Sequence, residues 1–306
     1  MSQDSWMIFR GDNQPSPRLA ELPPPPSWRS KDPSVAKPQA PPDLADNSEH
    51  WRPARGATFR LKSDPIRQAV NAALYLRRPL LLTGQPGTGK SSLIYAVAYE
   101  LGLGPVLKWS ITSRATLKSG LYEYDALRRL NDIRQREAIQ PGDKPMEPDD
   151  IGNYLKLGPL GAALYPADWP RALLIDEIDK ADLDLPNDLL NIFEDGEFVI
   201  PELERQNAAV KVGVPGLPQR QPISADGRVV ARQFPFVILT SNNEREFPAP
   251  FLRRCVRAQM PEPTTADLAD IVQAHLGLKR RDLAADLIAR FETDKSRLAT
   301  DQLLNA

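Results

Sequence analysis

Residues 84–91, GQPGTGKS, constrain this chain more than any other stretch. They have the form G-x-x-x-x-G-K-[ST], a loop that wraps backbone N–H groups around phosphates. The pattern carries weight only between a strand and a helix, and both are expected here. PLLLT at 79–83 is a short apolar run of strand type, and KSSLIYAVAYEL at 90–101 is helical. The glycines allow positive φ and close backbone approach. The helix that follows turns its positive end toward the anion. Gly84, Gln85, Pro86, Gly87, Thr88, Gly89, Lys90, Ser91 and Ser92 form the expected cradle. Lys90 is placed to reach the outer phosphates, and the Ser91 hydroxyl to hold Mg²⁺.

A loop of this kind needs a metal-linked carboxylate, a water activator and a charge neutraliser to become catalytic. Candidates follow in order. ALLI at 172–175 reads as a buried strand, with Asp176 and Glu177 at its carboxyl end, the edge where open α/β sheets bind ligands. Asp176 is the candidate Mg²⁺ carboxylate, and Glu177 the group to orient or deprotonate water. FVILTSNN at 236–243 is a second apolar strand ending in Asn242, whose amide could polarise the water or sense the last phosphate. Such a Ser-Asn-Asn cluster also reads as a turn. Arg253 and Arg254 follow a short apolar segment and could neutralise charge in trans; taken alone they read rather as a solvated pair. Cys255 reads as a small buried residue, and neither His50 nor His275 is a catalytic candidate.

Composition sets the remaining bounds. A chain of 306 residues holds one large or two smaller domains. A net charge of −1 gives no basic excess to suggest a nucleic-acid partner. A single cysteine fits a reducing compartment and, with only two histidines, argues against a zinc site. No apolar run approaches the roughly 18 residues that span a bilayer, and the N-terminus lacks the basic-then-apolar order of a signal peptide. A soluble, cytoplasmic protein without membrane contact is expected.

Proline stands out, with 31 residues, of which about a third precede residue 55. Residues 1–57 therefore read as a Pro-rich segment, largely disordered or wrapping. The sharper alternative is docking through Trp6, Ile8, Phe9, Trp28 and Trp51. The fold is expected to begin near Phe59, with Asp64 and Pro65 opening a helix whose apolar stripe is Ile66, Ala69, Val70, Ala73 and Leu74. A second strand is expected within 105–110, a polar helix over 121–139 and an exposed insertion within 111–170. Asp226-Gly227 signals a hairpin. From 261 the pattern is helical, with Thr264 and Asp267 at capping-box spacing. The domains are thus 1–57, a core at 58–260 and a helical, incomplete lid at 261–306.

GQPGTGKS, LLIDEIDKAD, ILTSNN and FLRRC stand in the order and spacing of Walker A, Walker B, sensor 1 and arginine finger, and so resemble AAA+ ATPases over about residues 59–305. GLYEYDALRRL, LGPLGAALYP and DLLNIFEDGEFVIPE are similar to the MoxR group, in the branch associated with von Willebrand factor A-domain proteins. The resemblance implies a three-layer αβα P-loop domain with parallel sheet order 5-1-4-3-2 and a helical lid. It also implies ATP with Mg²⁺, and a homo-oligomeric ring, commonly a hexamer, with the active site between subunits. The client would be a protein, and a von Willebrand factor A-domain protein is one candidate. Carried over by position, Lys90 and Ser91 bind phosphate and Mg²⁺, Asp176 supports Mg²⁺, Glu177 activates water and Asn242 is sensor 1. Arg254 is the first choice for the finger and Arg253 the second. Glu194 stands where relatives place an acidic residue facing the neighbour. The resemblance sets the insertion within 111–170 and a hairpin within 203–232. No sensor 2 arginine is placed: Arg280, Arg281 and Arg290 do not fit. This departure leaves a second reading open, an ATP-gated switch or scaffold with little turnover. A DNA-directed activity is a weaker third.

Overall fold

The structure, a computed structural model, describes residues 6–26, 53–139, 150–204, 206 and 208–276. Trp28, Trp51, His50, the second lid helix expected at 282–291 and the three lid arginines lie outside the described residues.

Five short strands build the central sheet: β1 (Leu80–Thr83), β2 (Leu107–Ser110), β3 (Ala172–Asp176), β4 (Phe236–Ser241) and β5 (Val256–Gln259). All pair in parallel, in the order β5-β1-β4-β3-β2, which is the order expected. Strands buried on both faces read as near-continuous apolar runs, and Leu80–Leu82, Ala172–Ile175 and Phe236–Leu239 supply them before the polar residues at their carboxyl ends. Side chains alternate strictly between faces. Leu81, Leu107, Leu173, Ile175, Val237 and Leu239 point one way; Leu80, Leu82, Leu174 and Ile238 point the other.

Helices cover both faces. They are α1 (Pro53–Thr58), α2 (Asp64–Leu76), α3 (Lys90–Leu101), α4 (Leu117–Leu121), α5 (Ala126–Ile139), α6 (Pro159–Leu164), α7 (Asp184–Asp195), α8 (Ala249–Arg254) and α9 (Thr265–Leu276). The stripe Ile66, Val70, Ala73, Leu74 of α2 and Leu93, Ile94, Val97 of α3 bury one face. Leu160 of α6, Leu189 and Phe193 of α7 and Phe251 of α8 bury the other. No helix among the described residues is long and apolar enough to cross a membrane.

Three local expectations are corrected. The helix read over 121–139 is interrupted: Tyr122–Tyr124 pairs antiparallel with Leu155–Leu157, and α5 begins only after Asp125, whose carboxylate accepts the Arg128 N–H at 2.8 Å. Aromatic residues on a half-buried edge favour extended backbone over helix. The Asp226-Gly227 turn is present, with Gly227 at φ 68°, but it joins no hairpin. Gln221–Ile223 before it pairs with Val210–Val212, while Arg228–Val230 after it pairs with Glu197–Val199. The turn signal reports chain reversal locally and is blind to a partner strand some thirty residues away.

The third correction concerns where packing begins. Residues 6–22 lie against α2 and α3, with Ile8, Phe9, Leu19 and Leu22 fully inside the core, so the packed structure starts well before Phe59. Two polar anchors explain the path. Asn71 of α2 is buried; its Oδ1 accepts the N–H groups of Ile8 and Phe9 at 2.8 and 3.0 Å, and its Nδ2 donates to the Phe9 carbonyl at 2.7 Å. A single amide thus satisfies backbone groups that an edge strand would otherwise pair. Glu100 of α3 accepts from Arg10 N–H at 2.6 Å, Asp12 N–H at 3.2 Å and the Arg18 guanidinium at 3.0 Å. Burial pushes the Glu100 carboxyl above its ordinary range, partly opposed by the Arg10 N–H and the Arg18 charge. Trp6 remains half-exposed, edge-on to Tyr75 at 5.8 Å.

Because Phe9 is 0% exposed, Phe9→Ala is expected to destabilise the fold by about 3–5 kcal/mol. Urea unfolding measures this. A loss below about 1 kcal/mol would show that the segment is not part of the cooperative core.

Candidate nucleotide-binding site

Parallel strands bring their carboxyl ends to one edge, and the chemistry-bearing residues gather there. β1 runs into the Gly-rich loop, β3 ends at Asp176 with Glu177 next, and β4 ends at Ser241 with Asn242 next. α3 starts at Lys90 behind Gly89, whose φ of 88° is a left-handed value that a side chain would strain. The open N–H groups of this first helical turn face the loop.

Lys90 is buried, and its Nζ donates to the carbonyls of Gly84 (2.7 Å) and Gln85 (2.8 Å) and to Asn242 Oδ1 (2.8 Å). Burial lowers its pKa, and the negative charges of Asp179, Asp176 and Glu177 oppose that. Ser91 Oγ donates to Asp176 Oδ1 at 2.6 Å. Burial raises the Asp176 pKa, but hydrogen bonds from Lys108, Ser91 and Thr240, together with the Lys108 charge, outweigh it and hold the carboxyl below its ordinary value. Asp176 is therefore ionised at neutral pH. Lys90, Ser91, Asp176, Glu177 and Asn242 thus all line one cavity of about 530 Å³.

Ser91 and Asp176 present hard oxygen donors side by side, which fits a small divalent cation completed by phosphate oxygens and water. Among the described residues no group of three or more His, Cys, Asp or Glu could hold a metal without such help.

Glu177 occupies a left-handed conformation, φ 62° and ψ 49°, uncommon for a residue with a side chain. Its N–H is held by Thr240 Oγ1 at 2.9 Å, and the same hydroxyl donates to Asp176 Oδ1 at 2.8 Å. One buried threonine therefore ties the Asp176 carboxylate and the Glu177 backbone to β4. The Glu177 carboxylate itself meets Lys180 Nζ at 2.7 Å.

Arg253 and Arg254, at the end of α8, are not among the residues lining this cavity. Arg254 grips Glu194 of α7 with both forks, Nε to Oε1 at 2.6 Å and Nη2 to Oε2 at 2.9 Å. The Arg253 carbonyl accepts from Arg78 at 3.3 Å. Cys255 is buried and its thiol is pushed up to about 12 by that burial, so it is no nucleophile.

Several contributors were not expected. Lys108, on the neighbouring strand β2, places Nζ 2.8 Å from Asp176 Oδ2. Asp179 is 2% exposed, and its Oδ2 accepts from Ser241 Oγ, Asn242 N–H and Glu244 N–H at 3.0, 2.7 and 3.2 Å, setting the loop that carries Asn242. The rest of the cavity comes from residues on either side of the core. Phe59, Leu61, Met260, Pro261 and Ile271 supply its apolar lining. Lys62 bridges to Asp267 and Asp270 of α9 at 2.9 and 2.6 Å. The capping box of α9 is formed as expected, Thr264 N–H to Asp267 Oδ2 at 2.9 Å and Asp267 N–H to Thr264 Oγ1 at 3.3 Å.

Residues 79–255, more than half the chain, match the family model of the AAA domain (dynein-related subfamily). Among solved structures, C. elegans PCH-2 is similar over 73% of this chain and 50% of its own, at 14% identity and a TM-score of 0.36. The chain thus spans about half the length of that structure. No curated protein matches the chain.

Proposed function

The chain belongs to the AAA domain family, dynein-related subfamily, and from that premise we propose that it binds and hydrolyses ATP with Mg²⁺ as a ring oligomer. The observation that carries this reading is the meeting of Lys90, Ser91, Asp176, Glu177 and Asn242 in a single cavity. Lys90 and the N–H groups of the Gly-rich loop bind the phosphates. Ser91 and Asp176 hold the cation, which when bound neutralises phosphoryl charge. Glu177 takes the proton of the attacking water, and Asn242, held by Asp179, positions that water or the last phosphate. Phe59, Leu61, Met260 and Ile271 take the base.

Arg254 points to a second subunit. It lies off the cavity of its own chain, yet ends a short helix on an exposed surface beside Glu194. A neighbour's cavity is the site it would serve. The MoxR resemblance extends the proposal to work on a protein client, with a von Willebrand factor A-domain protein as the first candidate. A second reading, an ATP-gated switch with little turnover, draws on the ion pairs that occupy Glu177 and Arg254, with Lys180 and Glu194 respectively.

Mass measurement of the purified chain with and without ATP, together with multi-turnover phosphate release, tests both readings. A ring-sized species with sustained release is expected. Assembly without turnover would favour the switch, and absence of ATP binding would overturn both.

A further inference from the structure

We propose that Arg55, from the short helix α1 that precedes the family-matched region, contacts the phosphate nearest the nucleoside. This rests on the ATP-binding reading above.

Four basic side chains outside or within the Gly-rich loop line the cavity: Arg55, Arg60, Lys62 and Lys90. Three are committed. Lys90 is held by Gly84, Gln85 and Asn242. Lys62 is paired with Asp267 and Asp270. Arg60 turns its Nη1 to the carbonyls of Ala57 and Phe59 at 3.0 and 3.2 Å. Arg55 has no acidic partner among the described residues. Its guanidinium lies 4.4 Å over the Tyr95 ring and donates to Ser92 Oγ at 3.3 Å. The ring fixes the plane of the fork, and the remaining donors are left for an anion.

The placement is built. The next residue, Gly56, packs so closely on α3 that a Cβ there would sit 2.4 Å from the Tyr95 carbonyl. Only glycine allows α1 to approach this near, and the approach sets Arg55 against the first turn of α3. Lys90 and Ser91 serve the outer phosphates at the start of that turn. Arg55 meets the following residue, Ser92, and lines the same cavity as Phe59 and Leu61. A cation beside Ser92, one residue beyond the groups that serve the outer phosphates, is placed for the inner phosphate. The family model begins at residue 79, so its pattern does not include this residue.

Displacement of a fluorescent ADP analogue by ATP, ADP, AMP and adenosine tests the assignment in wild type, Arg55→Gln and Arg55→Lys. Arg55→Gln removes the charge together with the guanidinium that lies over Tyr95, leaving a shorter neutral amide. Loss of one charge-assisted hydrogen bond is expected to weaken ATP, ADP and AMP alike by about tenfold. Adenosine affinity should not change, and Arg55→Lys should recover part of the loss. Equal weakening of adenosine would make Arg55 a packing residue and overturn the assignment. Phosphorylated ligands unaffected by Arg55→Gln, with normal wild-type binding, would overturn it alone. A wild type that binds none of the four would overturn the ATP reading along with it.

Discussion

Glu177→Gln is expected to lower ATP hydrolysis by roughly 10²–10⁴-fold while leaving ATP affinity within a few-fold of wild type. The amide keeps the size and hydrogen-bonding reach of the carboxylate but cannot take a proton. Binding rests on other groups: Lys90 in the Gly-rich loop, Ser91 with Asp176, and the apolar lining of the cavity. The backbone at 177 is held independently of its side chain, because the N–H is fixed to Thr240 and the left-handed turn is set by the end of β3. The substitution therefore changes the chemistry without collapsing the site. Single-turnover phosphate release, measured beside nucleotide binding, separates the two quantities. A variant that hydrolyses ATP at the wild-type rate would remove Glu177 from the chemistry. A variant that no longer binds ATP would show that Glu177 supports the cradle instead.

How far this site could be read from residue order depends on how local each contributor is. The Gly-rich loop, the carboxylates after β3 and the asparagine after β4 are each announced by the apolar run before them, whose short length and polar or glycine-bearing end mark it as a strand buried on both faces. Their sheet order came from the resemblance and is the order observed. Thr240 carries no such signal. It is one more β-prone residue in FVILTS, and it matters because β4 lies beside β3 and its hydroxyl sits between Asp176 Oδ1 and the Glu177 N–H. Lys108 is likewise an ordinary outward residue of β2 until pairing sets Ser110 opposite Asp176. Asn71 looks like a polar residue in a helix, yet it holds a segment 62 and 63 positions away. Proline-rich composition left 1–57 open between a loose or wrapping segment and one docked through residues such as Ile8 and Phe9; what decides for docking is the backbone partner that Asn71 supplies. In each case the missing information is a long-range contact, which neither periodicity nor turn chemistry encodes.

Arg254→Ala is expected to leave ATP binding to a single subunit intact but to lower hydrolysis by the assembled protein by about 10³-fold, the low end for an arginine finger. The bidentate pair with Glu194 raises an energetic objection, since the guanidinium must leave two carboxylate oxygens to reach a neighbour's phosphate. The magnitudes decide it. Arg254 and Glu194 are both partly exposed, with side chains 33% and 48% accessible. Exposed ion pairs typically contribute roughly 0.2–1 kcal/mol, and bidentate geometry sets this one at or somewhat above the upper end. A 10³-fold rate effect corresponds to about 4 kcal/mol of transition-state stabilisation. Release from Glu194 therefore costs less than the finger contact would return. Mixing tests the sharing directly. In a mixed ring, an Arg254→Ala subunit keeps Glu177, and a neighbouring Glu177→Gln subunit keeps Arg254, so one interface in the right order holds a complete site. Partial recovery of hydrolysis above either variant alone is expected. No recovery, with co-assembly proven by mass, would place the whole site within one chain and leave Arg254 as a surface partner of Glu194.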